Sequence, residues 1–302
     1  MSTYSSIRVP VAGGELVGGM WTPETDAGHP AVLAIHGITA THVSWPLVAE
    51  GLHTRVVALD LRGRGRSNGL PGPFGLRAHA ADMAAVIDHL GLGRVVVAGH
   101  SMGAFVAVRL AEIADGRVAS LVLIDGGLPI APPAGVAPED VAGVVLGPAL
   151  ARLSKTFSSR AEYRDFWRDH PALGPYWNER IGAYIDYDLD GAAPQLRPSS
   201  NPDAVAVDSM LLDGQDDYHE ALSALGMPVA FLHAPRGLAD QVPPLYPDGE
   251  LRQLAARYPH VTIHELDDVN HYTIVLTPQG AAQVVPIIEQ QVVHAATEEV
   301  IA

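Results

Sequence analysis

The most constraining feature of this sequence is a repeated unit. A short apolar run rich in β-branched residues leads into a glycine-containing turn and then into an alanine- and leucine-rich helical pattern. The four runs between residues 30 and 125 are AVLAIHG (31–37), RVVALDLRG (55–63), RVVVAGHS (94–101) and SLVLIDGG (120–127). Continuous apolar runs of this length are typical of strands covered on both faces. The alternation therefore predicts an α/β fold with a mostly parallel, doubly wound sheet.

The chain contains an interruption of this alternation. Residues 128–226 begin with a proline-rich stretch and continue with helical patterns broken by glycine and proline. The strand pattern then returns in MPVAFLHAP (227–235) and VTIHELDD (261–268), which are predicted to be the last two strands. We therefore expect a core domain formed by 1–127 and 227–302, with an insertion at 128–226.

The insertion is rich in aromatic residues, since nine of the 18 in the chain fall within it. Such clustering has two explanations, the hydrophobic core of a small helical unit or the apolar wall of a ligand pocket at a domain boundary. The two can hold at once. On the second interpretation, Trp167, Tyr176 and Trp177 are candidate substrate-binding residues.

The net charge of the chain argues against partners that are themselves strongly negative. There are 19 Lys and Arg against 34 Asp and Glu, which gives a formal net charge of −15 at pH 7. This charge opposes the counterion release that drives binding to phosphate backbones, and it repels anionic membranes. We therefore expect neither nucleic acid nor a membrane as a partner. The sequence leaves open whether the protein is a monomer or a homo-oligomer.

The absence of cysteine excludes disulfide bonds, thiolate metal ligands and a cysteine nucleophile. The first residues lack the charged and continuous apolar segments of a secretory signal, and no later stretch has 18 uninterrupted apolar residues. A cytoplasmic location is the simplest prediction.

Two serines satisfy the pattern Gly-x-Ser-x-Gly, Ser101 in GHSMG and Ser67 in GRSNG. A nucleophilic serine needs an exposed oxygen and donors for the oxyanion, and a tight turn from strand to helix supplies both. A predicted strand precedes Ser101, and a predicted helix follows it whose first amide, that of Met102, is a candidate oxyanion donor. The stretch GRSNG that contains Ser67 is followed by LPGPFG, which excludes an immediate helix. Ser101 is therefore the candidate nucleophile.

The motifs AIHGI, ALDLRGRGRSNG, VAGHSMGA, LVLIDGG and DVNHYTI follow one another in the order and spacing of the α/β-hydrolase fold family. The chain resembles that family over nearly its whole length. The resemblance implies an α/β-hydrolase fold in which the insertion at 128–226 is a helical cap over the active site. It also implies that the backbone N–H of Ile38, after the first His-Gly pair, is the second oxyanion donor beside that of Met102.

The family order of serine, acid and histidine directs the search for the other catalytic residues. His271, after the last predicted strand, fits the general base. Asp240 follows the strand predicted at 227–235, where the family usually carries its acid, and it is the preferred candidate. Asp125 ends the preceding strand, where some members place the acid, and it is the alternative, although a carboxylate there also commonly caps backbone.

We expect neither a cofactor nor a metal. The stretch GRGRSN (63–68) lacks the last glycine of a dinucleotide fingerprint, and there is no Walker sequence. The two histidines of HELDDVNH (264–271) lie seven residues apart, whereas the zinc-binding helix motif places them four apart.

The leading functional hypothesis is a serine hydrolase, a carboxylesterase whose partner is a small to medium apolar ester and which forms an acyl-enzyme on Ser101. A carbon–carbon bond hydrolase, a lactonase, a thioesterase and a perhydrolase share this machinery and remain alternatives. Family members that open epoxides or remove halides use an aspartate nucleophile, so Ser101 argues against both. An alternative of another class is a non-catalytic receptor for a small ligand on the same fold.

Overall fold

One mostly parallel sheet organises the protein. The computed structural model describes residues 2–25, 28–114, 116–130, 147, 151–212, 214 and 216–301. The strands within these ranges are β1 (Thr3–Val11), β2 (Gly14–Thr22), β3 (Ala31–Ile35), β4 (Val56–Leu59), β5 (Val95–His100), β6 (Val118–Ile124), β7 (Leu189–Asp190), β8 (Arg197–Pro198), β9 (Val229–His233) and β10 (Val261–Glu265). Eight of them form the main sheet in the order β1-β2-β4-β3-β5-β6-β9-β10.

Helices cover both faces of this sheet. The helices within the described ranges are α1 (Pro46–Gly51), α2 (Leu76–Leu90), α3 (Met102–Ile113), α4 (Arg160–Arg168), α5 (Glu179–Tyr187), α6 (Pro202–Ser209), α7 (Asp216–Ser223), α8 (Asp248–Arg257), α9 (Thr273–Leu276) and α10 (Pro278–Ile301). In the part of the chain that is described, no helix has the length and apolar character needed to cross a membrane.

The six strands predicted from apolar runs are all present, and each pairs in parallel with its neighbour among them. Every residue of β3, β5 and β6 is buried. Because side chains alternate along a strand, Val95 and Val97 join one hydrophobic cluster while Val96 and Ala98 join the cluster on the opposite face. The predicted doubly wound α/β architecture is confirmed.

The first two strands, which were not predicted, form an antiparallel hairpin at one edge of the sheet. Most residues of β1 are exposed, so this strand lacks the continuous apolar run that identified the others. The chain reverses at Gly13 and Gly14, whose φ values are 87° and 152°. Such backbone conformations favour glycine and allow the tight turn.

The chain between β6 and β9 is an insertion, because these two strands are neighbours in the sheet. Its described part contains α4 to α7 and a separate two-stranded sheet of β7 and β8. Rings of Phe157, Tyr163 and Trp167 pack together and belong to the same hydrophobic cluster as one face of the main sheet. These three aromatic residues thus form part of the hydrophobic core. The limits 128–226 remain a prediction, and residues 131–146 and 148–150 lie outside the described ranges.

Candidate active site

Ser101 occupies a sharp turn between β5 and α3. Its φ of 56° and ψ of −124° are rare for a residue with a side chain, and this strained turn presents the hydroxyl at the end of the sheet. Packing requires the flanking glycines. A Cβ at Gly99 would lie 2.4 Å from the carbonyl oxygen of Gly103, and a Cβ at Gly103 would lie 2.1 Å from that of Ile35. Both glycines of the motif are therefore needed for the close approach of helix and strand.

Ser101, His271 and Asp125 form a continuous hydrogen-bonded series. The Nε2 atom of His271 lies 3.0 Å from Ser101 Oγ, and its Nδ1 atom lies 2.7 Å from Asp125 Oδ2. Asp125 is fully buried and His271 nearly so. Because a carboxylate only accepts, His271 Nδ1–H donates to Asp125, which leaves the Nε2 lone pair for the serine proton. This arrangement suits general-base activation of a hydroxyl.

The structure corrects the expectation that Asp240 is the acid partner of His271. Asp125 directly follows β6, the neighbour of β5, and the close packing there is shown by Gly126, whose Cβ would lie 2.2 Å from the Ser101 carbonyl oxygen. Asp240 Oδ1 instead accepts from Arg236 Nε and from Asn270 Nδ2, at 2.8 Å each. The carboxylate of Asp240 thus supports the loop that carries His271.

Arg236 joins that loop to the inserted segment. Its Nη2 donates to the hydroxyl of Tyr176 over 3.0 Å, and its carbonyl oxygen accepts from the backbone N–H of His271 over 3.1 Å. Tyr176, which was expected to bind substrate, is therefore engaged in holding the two parts of the chain together.

The loop after β3 holds Ile38, the second expected oxyanion donor. His36 Nδ1 donates to the carbonyl oxygen of Gly37 over 2.8 Å, and the N–H of Leu61 donates to His36 Nε2 over 2.9 Å. The carbonyl of Gly37 and the N–H of Ile38 belong to one trans peptide plane and point in opposite directions. Fixing the carbonyl therefore fixes the direction of the Ile38 N–H. A Cβ at Gly37 would lie 3.1 Å from Ser101 Cβ, so this loop lies against the nucleophile.

His100 contacts the backbone of the candidate general base His271. Its Nε2 donates to the carbonyl oxygen of His271 over 2.8 Å. Burial lowers the pKa of His100 to about 3, so the ring is neutral at pH 7. His100 therefore helps to hold the backbone of His271 in place.

A narrow, mainly apolar cavity opens beside Ser101. Its volume is about 30 Å³. Apart from the polar residues around Ser101, its apolar and aromatic wall comprises Ile38, Ala40, Tyr184, Leu238, Tyr272, Val275 and Leu276. Tyr184 comes from α5 of the inserted segment, while Tyr272 directly follows His271.

Trp167, Tyr176 and Trp177 are not among the residues that line this cavity, so their substrate-binding role remains a prediction. Trp167 is buried, and its ring lies 6.3 Å from that of Tyr272, so it packs behind the wall. The guanidinium of Arg168 covers the Trp177 ring at 4.8 Å. Their positions in the insertion were visible in the sequence, but the direction of each side chain was not.

Within the described ranges, no three or more His, Cys, Asp or Glu side chains are grouped so that they could hold a metal ion.

Two buried histidines predict a loss of stability in mild acid. Burial lowers the pKa of His36 to about 4 and that of His100 to about 3, whereas histidine in an unfolded chain titrates near about 6.5. Below pH 6.5 the unfolded chain therefore binds protons that the folded protein does not, and the free energy of unfolding falls as the pH decreases. Between pH 6.5 and 4, His36 alone accounts for roughly 3 kcal/mol.

Urea denaturation at several pH values between 7 and 4 measures this effect. His36→Gln should be less stable at pH 7 and should show a shallower decline with falling pH than the wild type. His294→Gln is the matched control, because the His294 side chain is 54% exposed and should leave the slope unchanged. An unchanged slope in His36→Gln would contradict the assignment.

Comparison with known proteins identifies the family. The sequence model of the alpha/beta hydrolase fold matches residues 30–278. A bifunctional esterase/perhydrolase of Acinetobacter calcoaceticus is 31% identical over 238 residues, which cover 76% of this chain and 80% of that protein. Lipase LipV of Mycobacterium tuberculosis is 41% identical over 100 residues, covering 33% of this chain and 38% of the lipase. The chain belongs to the α/β-hydrolase fold family.

The solved structures agree with this assignment at the level of the fold. The crystal structure of E-2-(acetamidomethylene)succinate hydrolase superimposes with a TM-score of 0.75 and 20% identity, covering 94% of this chain and 98% of that one. The match to LipV spans only about 38% of that protein's length, so its activity does not transfer directly to this chain.

Proposed function

We propose that the protein is a serine hydrolase, most specifically a carboxylesterase that cleaves small to medium apolar esters through an acyl-enzyme on Ser101. The observation that carries this proposal is the series from Ser101 through His271 to Asp125, with contacts of 3.0 and 2.7 Å. A nucleophile, a base and a group that orients the base are thereby within reach of one another beside a cavity.

The first half of the reaction forms the acyl-enzyme. Ser101 Oγ attacks the ester carbonyl while His271 Nε2 takes the hydroxyl proton, and Asp125 stabilises the resulting imidazolium. The backbone N–H groups of Ile38 and Met102 stabilise the oxyanion. The tetrahedral intermediate then expels the alcohol, which receives the proton from His271 Nε2.

The second half regenerates the enzyme. Water attacks the acyl carbonyl while His271 Nε2 takes one of its protons, and the same two N–H groups hold the second oxyanion. Collapse releases the carboxylic acid and returns the proton to Ser101 Oγ.

The cavity wall supports an apolar acyl group. Tyr184, Leu238 and Leu276 present apolar surface, and the wall contains no lysine or arginine among the described residues that line it. Burying apolar substrate atoms against such a wall contributes binding energy in proportion to the area buried. The small size of the cavity favours short acyl chains.

Initial hydrolysis rates on nitrophenyl esters of increasing acyl length test the proposal. We expect kcat/KM to be highest for short chains and to fall as the chain outgrows the cavity. Each additional methylene that fits should raise kcat/KM by about fourfold, since burying a methylene is worth about 0.8 kcal/mol. The absence of hydrolysis on every ester would contradict the proposal, and ligand binding without turnover would favour a receptor.

A perhydrolase activity is a second candidate, favoured by the esterase/perhydrolase relative that the chain matches over 76% of its length. Hydrogen peroxide would replace water in the attack on the acyl-enzyme, and collapse would release a peracid while Ser101 Oγ regains its proton. Peracid formation from a short carboxylic ester and hydrogen peroxide, compared with hydrolysis of the same ester, separates the two activities.

A further inference from the structure

Arg64 connects the loop that carries Ile38 to the inserted segment. Its guanidinium is fully buried. Nε donates to the carbonyl oxygen of Ile38 over 2.9 Å, and Nη1 donates to that of Arg62 over 3.0 Å. Nη2 lies 2.5 Å from Asp208 Oδ2, a close ion pair without good hydrogen-bond alignment. One side chain therefore contacts both the candidate oxyanion loop and helix α6.

Asp208 is held in place from several directions. It is fully buried on α6, and its Oδ1 accepts from the N–H of Gly75 over 2.7 Å. Its Oδ2 accepts from His79 Nε2 over 2.9 Å, beside the contact with Arg64. Burial raises the pKa of Asp208, but His79 and Arg64 oppose this and keep that pKa below its ordinary value. The carboxylate is therefore ionised at pH 7 and holds Arg64 in one orientation.

Helix α6 is docked directly on the loop that carries Arg64. The N–H of Asn201 donates to the carbonyl oxygen of Gly63 over 2.8 Å, and the Asn201 side chain caps the first turn of α6. A Cβ at Gly63, whose φ is 79°, would lie 2.7 Å from Ala204 Cβ. Close packing and the buried ion pair thus fix α6 against the same short stretch of core.

We propose that Arg64 and Asp208 are positioning residues for the oxyanion donor at Ile38, through which the docked insertion sets the geometry of catalysis. His36 fixes the peptide plane that contains the Ile38 N–H, and Arg64 fixes the next plane through the Ile38 carbonyl. Holding both planes leaves the Ile38 backbone no freedom to rotate. Oxyanion stabilisation depends on donors that are already in position, so a loosened donor lowers kcat. This inference rests on the proposed function.

The primary test compares Arg64→Lys and Asp208→Asn with the wild type on its best nitrophenyl ester, at a temperature where thermal denaturation shows each protein folded. Lysine keeps a positive charge but cannot donate to Ile38 and contact Asp208 through separate nitrogens. We expect kcat to fall about tenfold or more, short of the loss of about 10²–10³ for deleting a whole donor, with KM changed less than about threefold.

A second buried ion pair, between Arg62 of the same loop and Asp82 on α2, provides the matched control. Arg62 and Asp82 are 2.7 Å apart and almost fully buried. Arg62 also donates to the carbonyl oxygens of Pro71 and Ala12, and therefore ties the loop to parts of the core remote from Ile38. Arg62→Lys and Asp82→Asn should lower the melting temperature while kcat stays within about twofold of the wild-type value.

The double variant Arg64→Met with Asp208→Leu covers the case in which a single variant fails to fold. Removing both buried charges together avoids leaving one of them unpaired. We expect this protein to be folded. Its kcat should still be at least tenfold below the wild-type value, because the Ile38 carbonyl oxygen has lost the hydrogen bond from Arg64. Wild-type kcat in any folded Arg64 or Asp208 variant, or an equal kcat loss in the Arg62 and Asp82 variants, would overturn the inference alone. Absence of ester hydrolysis in the wild type would overturn it together with the proposed function.

Discussion

Ser101→Ala should lower kcat for ester hydrolysis by about 10⁶-fold, the scale of loss when a serine nucleophile is removed from an intact triad. The methyl group cannot attack the carbonyl, so no acyl-enzyme forms. The fold should be retained, because the strained turn at Ser101 is enforced by Gly99 and Gly103 and by the packing of α3 on β5. Steady-state rates on the best nitrophenyl ester, with thermal denaturation of the same sample, measure both effects.

Ser67→Ala is the control for this variant, because Ser67 lies in the other Gly-x-Ser-x-Gly stretch of the chain. Ser67 Oγ accepts from the N–H of Val17 over 3.0 Å, so its loss should reduce stability by about 1 kcal/mol. Its kcat should stay within a few-fold of the wild-type value. Turnover that survives in Ser101→Ala would refute the nucleophile assignment.

Asp125→Asn should lower kcat by about 10⁴-fold, as expected when the orienting acid of a triad is replaced by its amide. An amide NH₂ facing His271 Nδ1 favours the tautomer with the proton on Nε2, which can no longer accept the proton of Ser101. Single-turnover acylation rates measured as a function of pH report this change, because the imidazolium that forms in the reaction also loses its counter-charge.

Asp240→Asn is the matched comparison, since it makes the same chemical change in the acid that the sequence favoured. Asp240 contacts Arg236 and Asn270, so we expect a loss of no more than about tenfold, caused by a looser loop before His271. A larger loss for Asp240→Asn than for Asp125→Asn would return the role of acid to Asp240.

The parallel strands could be predicted from the sequence, and so could Ser101 and His271, whose side chains lie within hydrogen-bond distance in the structure. Apolar runs of five to seven residues read directly as buried strands because their two faces are both covered. Ser101 could be selected because it directly follows the buried strand β5 in a Gly-x-Ser-x-Gly turn. His271 could be selected because it follows the last predicted strand and fits the chain order serine, acid, histidine.

The choice of acid could not be made in this way, because Asp125 and Asp240 both follow strands of the same sheet. Which of the two contacts His271 depends on the backbone conformation after each strand. Asp125 is the first residue beyond β6. By contrast, a turn closed by the hydrogen bond from the N–H of Gly237 to the carbonyl oxygen of Gln241 directs Asp240 toward Arg236. Arg236, four residues before Asp240, was the available signal of an ion-pair partner.

The residues that line the cavity could not be predicted from the sequence for a related reason. Aromatic residues in the insertion could be counted, but whether a ring faces the cavity or the core depends on helix orientation. Tyr184 lines the cavity and Tyr163 on α4 lies in the core, although both were members of the same cluster in the sequence.

The buried pair of Arg64 and Asp208 constrains how this protein can be re-engineered by exchange of the inserted segment. The triad candidates and both oxyanion donors lie outside 128–226, so a segment taken from a relative would leave the chemical groups themselves untouched. A donor segment without a carboxylate at the place of Asp208 would nevertheless bury an uncompensated guanidinium, a change that costs about 3–5 kcal/mol. The presence of this one acidic side chain should therefore be the first criterion for choosing a donor segment, and overall sequence similarity the second.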